Sequence, residues 1–362
     1  MLFSYIYVKH QMEKMQEFVD FIFHQVWCKA PIGLEFKPDL FNESPELKEV
    51  VTEFGFAEKS AESGRAFYKN IKDIYGLFER LPAAQIEQYK EWFQGNNDIE
   101  KACANHPHVQ IKRYKDLPAE NEELNERLKL FFAGLYLSCL SEPPAVLKTK
   151  IGSIDDHYDT FTNVNNEGIC PFCGFTDLLG PGHSKRDAYD HYFPKAIFPF
   201  NSVNFRNLVP ACHHCNSSYK ATQNTAYAPP DRTQGAARRK CFYPYSTEFE
   251  GLEIEVSLSH GYLPALQTED IEFRFGPNQF KDEIATWQEV YGIDERYKEL
   301  LCAKNRGKVW VTQALEEWPL HGGRIEEYLN VLEKRAVSAP LADANFLKTP
   351  FLQACNEKGL FI

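Results

Sequence analysis

Two Cys-x-x-Cys pairs dominate the chemistry available to this chain of 362 residues: Cys170-Pro171-Phe172-Cys173 and Cys212-His213-His214-Cys215. Each such turn aims two thiolates at one point, and two of them supply the sulfur tetrahedron that a structural zinc ion takes. Zinc with four sulfur ligands has no open position, so it would hold a fold and not catalyse. The pairs are 38 residues apart, too far for a simple finger, so something folded must lie between them. Unrelated pairs or a redox dithiol are the alternatives; two pairs flanking one compact segment favour zinc. Inside the segment stand Asp190-His191-Tyr192-Phe193-Pro194-Lys195 and then Asn207-Leu208-Val209-Pro210-Ala211, and the second pair is followed by Asn216-Ser217-Ser218-Tyr219-Lys220. An imidazole with a pKa near ~6.5 can take a proton from water at neutral pH. Asp190 and Asn216 offer the hard oxygen donors that magnesium or manganese prefers. A base, a cation and a water are the equipment for hydrolysing a phosphodiester.

In type and order these residues resemble the HNH endonuclease family over roughly residues 169–220. There, Asp-His opens a hairpin, Asn-Leu leads into a Cys-x-x-Cys turn, and an Asn and a Lys follow. The resemblance implies a ββα-metal module, a β-hairpin and a helix gripping one divalent metal. It implies that His191 is the general base, Asp190 a metal-binding carboxylate, Asn207 the brace of the hairpin loop, and Asn216 the metal ligand on the helix. Many members carry histidine at that last position, so this is an H-N-N variant and the choice of Mg²⁺ or Mn²⁺ stays open. Lys220, one turn on, is expected to touch a phosphate, and Lys185, Arg186 and Lys195 to grip the nucleic-acid backbone. The expected activity is metal-dependent endonucleolytic cleavage of nucleic acid, double-stranded DNA in the first instance. A restriction or antiviral role is analogy with other HNH proteins that carry large accessory regions. One difficulty stands: adjacent strand residues point to opposite faces, so Asp190 and His191 can serve one substrate only if the hairpin twists.

Each neighbour also has a plainer reading. His213 and His214 read as solvated residues of the turn, His183 as a solvent-facing loop residue, and His157 as structural. Arg238-Arg239-Lys240 is as readily a solvated charge run as a phosphate clamp. The rival function is a zinc-knuckle protein that binds nucleic acid without cutting it. A third reading has the centre held inactive until a regulatory protein docks on the helical flanks.

The formal net charge of −11 argues against indiscriminate coating of nucleic acid. The charge is uneven, however. Cys170 to Ser246 holds nine Lys or Arg and four Asp, net +5, which leaves −16 for the rest. A basic island in an acidic chain is a plausible footprint for a polyanion. Six further cysteines (Cys28, Cys103, Cys139, Cys241, Cys302, Cys355) are scattered, which suits a reducing compartment with one metal site, hence the cytoplasm. The N-terminal residues lack the pattern of a signal peptide, and no long apolar run predicts a membrane span.

The elements that must position these groups read as an α+β chain, mostly α. Helical spacing predicts a domain over 1–147, with helices from Met12 to Trp27, Ala57 to Leu81, Ala83 to Phe93 and Asn121 to Leu140. A short helix from Lys148 to Tyr158 leads into the nuclease module, 148–246. The region 247–362 opens with strands at Leu252 to Leu258 and Ile271 to Phe275. Helices follow at Phe280 to Tyr291, Glu295 to Glu317, Arg324 to Arg335 and Asp343 to Asn356.

Overall fold

Apolar residues recur at three- and four-residue spacing through most of the first 164 residues, and there the chain coils. The computed structural model describes residues 1–56, 61–230, 236–249, 251–320 and 324–361. Helix α1 (Lys14–Phe21) runs on into a wider π turn (Ile22–Trp27). Helix α2 (Pro45–Phe56) was not among the expected helices, although Leu47, Val50, Val51 and Phe54 form a clear buried stripe. Then come α3 (Glu62–Phe78), α4 (Ala83–Asn97), α5 (Ile99–Cys103) and α6 (Glu122–Leu135), the last extended by a π turn (Tyr136–Ser141). The expected start of a helix at Ala57 lies outside the described residues. In place of one helix over 148–158 there are two, α7 (Ala145–Ile151) and α8 (Ile154–Val164). Gly152 breaks them at φ +78°, and the Ser153 side chain caps α8 by accepting from the Asp156 N–H.

Strand β1 (Tyr189–His191) pairs antiparallel with β2 (Leu208–Pro210), His191 opposite Leu208 and Asp190 opposite Val209. A short π-type helix (His214–Lys220) follows directly. The second hairpin joins β3 (Glu253–Leu258) to β4 (Ile271–Gly276). After it come α9 (Lys281–Tyr291), α10 (Ile293–Cys302), α11 (Gly307–Glu317), α12 (Ile325–Ser338) and α13 (Asn345–Glu357). The single helix expected over 295–317 is thus two, interrupted near Ala303. The fold is α+β, mostly α, with two small two-stranded sheets among the described residues.

Two hydrophobic cores hold the molecule, and neither stops at the expected boundaries of 147 and 246. One gathers α1 to α4, α6, α7 and α8 with Tyr189, Phe200, Val203, Phe205 and Leu208 from the first hairpin. The other gathers the C-terminal helices with all four paired cysteines, Tyr192, Phe193 and the N-terminal residues Met1, Tyr5 and Val8. The central segment is too small to fill a core of its own, so it divides its apolar residues between its neighbours. Phe200, at φ +80°, drives this on one side. Its ring lies 5.6, 5.4 and 5.2 Å from those of Phe23, Phe93 and Phe132. Asn96 at the end of α4 donates to the Pro199 carbonyl at 2.8 Å and accepts, through its own carbonyl, from Asn201 Nδ2 at 3.2 Å.

Candidate metal centre and hydrolytic site

The Sγ atoms of Cys170, Cys173, Cys212 and Cys215 all lie within 4.8 Å of one another, and all four residues are buried. The first turn is closed by Gly174 N–H donating to the Cys170 carbonyl at 2.8 Å. Gly174 sits at φ +75°, where a side chain is strained, and a Cβ there would fall 1.9 Å from Leu2 Cδ1 and displace it. In the second turn the Cys215 N–H points at Cys212 Sγ at 3.5 Å. Four buried thiols at this spacing cannot all ionise without a cation among them. The cluster therefore has the chemistry and the spacing to hold a metal such as zinc.

The C-terminal helices clamp this cluster, a feature that no spacing in the sequence announced. Trp287 Nε1 of α9 donates to the Phe172 carbonyl at 2.8 Å, and the Tyr297 hydroxyl of α10 donates to the Cys173 carbonyl at 3.0 Å. Arg296 Nη1 reaches Cys215 Sγ at 3.3 Å. Gly292, at φ +58° between α9 and α10, lets Tyr219 pack against the corner.

The hairpin next to the cluster brings three of the expected residues together. Asn207 is fully buried and braces the loop: its Oδ1 accepts from Phe193 N–H at 2.7 Å, and its Nδ2 donates to the Phe193 and Asn201 carbonyls at 3.0 and 3.3 Å. Asp190 is 2% exposed and its Oδ1 pairs with Lys220 Nζ at 2.8 Å. Lys220 also donates to the His191 carbonyl at 2.8 Å. The expectation that Lys220 touches a phosphate is therefore corrected: its ammonium is fully buried and pairs with one carboxylate oxygen inside the fold. Burial pushes the Asp190 carboxyl above its ordinary range, and the Lys220 charge opposes that rise. Asp190 Oδ2 is buried and has no protein partner. Asn216 is half-buried and lies on the following helix.

His191 has different neighbours, as strand alternation demands. Its Nε2 lies 3.0 Å from the Ser202 carbonyl. A carbonyl oxygen only accepts, so Nε2 carries the proton and Nδ1 keeps a lone pair. Tyr136, from the π turn after α6, sets its ring edge-on to the imidazole at 4.7 Å. Lys195 Nζ lies 5.0 Å from the same tyrosine ring. Burial first, and then the Lys195 charge, hold the His191 pKa down at about 3, so the ring is a neutral acceptor. Tyr136, Ser202 and Arg296 are the residues that sequence reasoning missed. Tyr136 and Arg296 come from outside the segment, and Ser202 from the loop between its two strands.

The structure uses most of the basic island internally. Arg186 pairs with Asp155 at 2.8 Å, Arg239 with Glu289 at 2.8 Å, and Arg238 donates to the Val109 and Ala102 carbonyls. Arg206 stacks over Tyr7 and donates to the Tyr243 hydroxyl. Lys185 and Lys240 remain exposed, and Arg232 lies outside the described residues. A cleft of about 540 Å³ beside β1 is lined by Asp155, Asp159, His183, Lys185 and Arg186. His213 and His214 are exposed.

His157 is buried, with Nδ1 against the Tyr189 hydroxyl and a hydrogen bond to the Val8 backbone. Burial holds its pKa down at about 3 from an unfolded value of 6.5. Below pH 6.5 the unfolded chain binds a proton that the folded one refuses. Stability should therefore fall as the pH drops from 6.5 toward 3, by about 1.4 kcal/mol per pH unit for a single group. Urea melts of wild type and His157→Gln across that range measure it. A variant with an unchanged pH slope would exclude His157 as a source.

Among the described residues no single helix is long and apolar enough to cross a membrane. No family model matches this chain, and comparison with curated proteins and with solved structures found no match.

Proposed function

We propose that this chain is a metal-dependent endonuclease of the HNH type, hydrolysing phosphodiester bonds in nucleic acid, with double-stranded DNA the first substrate to try. The reading rests on one arrangement: a neutral imidazole, fixed by the Ser202 carbonyl, on the first strand of a hairpin-helix unit beside a four-cysteine cluster. His191 Nδ1 takes the proton of the attacking water. Its pKa of about 3 is low for that task. An anionic phosphodiester offsets the Lys195 charge and so moves it upward, the direction a general base needs, against the burial that holds it down. Lys195 also lies where it can hold a phosphate oxygen, with Lys185 and Arg186 flanking the adjoining cleft. Asn207 keeps the loop rigid so that imidazole and phosphate meet at one distance.

Asp190 Oδ2 and Asn216 are the donors that would hold a divalent cation, which would supply charge neutralisation at the phosphate. Lys220 already neutralises the other Asp190 oxygen, so cation binding should be weak and activity should titrate with added Mg²⁺ or Mn²⁺. The four cysteines hold one zinc ion as a structural element. Purified protein should contain about one zinc per chain, and Cys212→Ser should unfold the central segment, because metal binding is part of its folding free energy. Less than half an equivalent by elemental analysis, in protein never exposed to a chelator, contradicts the zinc assignment.

The deciding experiment incubates the purified chain with plasmid and with single-stranded DNA and RNA, with and without Mg²⁺ or Mn²⁺. Cleavage that needs the divalent ion supports the proposal. The buried Asp190–Lys220 pair favours a second reading, a nucleic-acid-binding protein that does not cut. Salt-sensitive binding with no cleavage under any of these ions would establish that one.

A further inference from the structure

Four thiolates around a divalent zinc would make a dianionic cluster, and these four cysteines are buried. Arg296 is placed to answer that charge. It is 8% exposed, with Nη1 at 3.3 Å from Cys215 Sγ and 3.2 Å from the Tyr291 carbonyl. Its guanidinium carbon lies 4.9 Å from the Phe175 ring and 4.5 Å from the Tyr219 ring. Phe175 follows the first Cys-x-x-Cys turn and Tyr219 lies on the helix that follows the second. One side chain from α10 thus bridges both turns and touches a sulfur. Its contacts are a sulfur, a backbone carbonyl and two rings, with no carboxylate among them. A buried guanidinium without a carboxylate is costly unless some other anion compensates it.

We propose that Arg296 is a positioning residue of the metal centre: its N–H···S hydrogen bond and its charge stabilise the metal–thiolate cluster and slow metal loss. The inference rests on reading the four cysteines as a zinc site. A hydrogen bond to sulfur draws electron density from the thiolate, and a neighbouring cation lowers the free energy of a dianion in a poorly solvated core. The C-terminal helices are then part of the metal site, although they contribute no ligand.

The test follows zinc release from the full-length protein to a chromogenic chelator. Arg296→Met keeps the stem and loses the charge; Arg296→Lys keeps the charge and loses the planar fork. Release should quicken on the order of ten- to a hundredfold in Arg296→Met, the range of a hydrogen bond to a charged group. Arg296→Lys should fall between it and wild type. In cobalt-substituted protein the thiolate-to-cobalt charge-transfer band should move to lower energy in Arg296→Met, because the sulfur regains electron density. Release as slow as wild type, or equal release from the Met and Lys variants, would overturn the proposal, as would an unmoved cobalt band. Should Arg296→Met fail to fold, the band of Arg296→Lys decides, since its sulfur contact is altered in the same sense. Wild-type protein that binds no metal sinks the zinc reading itself, which is a separate outcome.

Discussion

His191→Ala should cut nucleic acid on the order of 10²–10⁴-fold more slowly than wild type, the range for loss of one general base. Zinc content, thermal stability and nucleic-acid affinity should stay near wild type. A base contributes in the transition state, so its loss lowers turnover and leaves ground-state binding alone. The fold supports that separation. The imidazole sits at the end of a short strand, held by one hydrogen bond to the Ser202 carbonyl, while Asn207 holds the loop independently of it. Tyr136→Phe keeps the ring edge that orients the imidazole and should be mild, whereas Tyr136→Ala frees the imidazole and should slow cleavage. Initial rates on plasmid at saturating Mg²⁺ read all three. The assignment of the base is wrong if His191→Ala cleaves as fast as wild type while His183→Ala or His214→Ala does not.

Lys220→Met should destabilise the protein by about 3–5 kcal/mol, the usual consequence of removing one partner from a buried ion pair. The lysine is fully buried, and the carboxylate it leaves behind is 2% exposed with a second oxygen already lacking a partner. The same ammonium ties the helix after the second Cys-x-x-Cys turn to the His191 carbonyl, so its loss loosens the whole hairpin-helix unit. A double variant, Asp190→Leu with Lys220→Met, should recover much of that loss, because well-packed apolar residues often replace a buried pair without penalty. The double variant should nevertheless be inactive, since Asp190 is the proposed carboxylate ligand. Urea denaturation of the three proteins checks the stabilities, and a Lys220→Met variant as stable as wild type would remove the pair from the account of the fold.

Much of the helical frame was legible because core helices carry a period that survives in the one-dimensional string. Leu128, Phe131, Phe132 and Leu135 are a stripe on paper and a buried face in the molecule. Helix α2 carries the same signal in Leu47, Val50, Val51 and Phe54. The break at Gly152 was harder to place, because a glycine within an apolar pattern is compatible with either continuation or a stop. The cysteine cluster was legible for a different reason: a Cys-x-x-Cys turn is local, so the sequence states its geometry before any tertiary contact forms.

What only the tertiary structure decided is where the charges go. Lys220 and Arg186 look alike in a string, as cations near a motif, yet one is sealed against Asp190 and the other pairs with Asp155 at the lip of a cleft. Arg296 lies 81 residues beyond Cys215 and meets it only because α9 and α10 fold back over the cluster. Periodicity and short spacings encode local geometry, which the chain expresses wherever it lies. Burial and charge pairing depend on which distant segments exclude water from the same place, and in this protein that is settled by two cores dividing one small central segment between them.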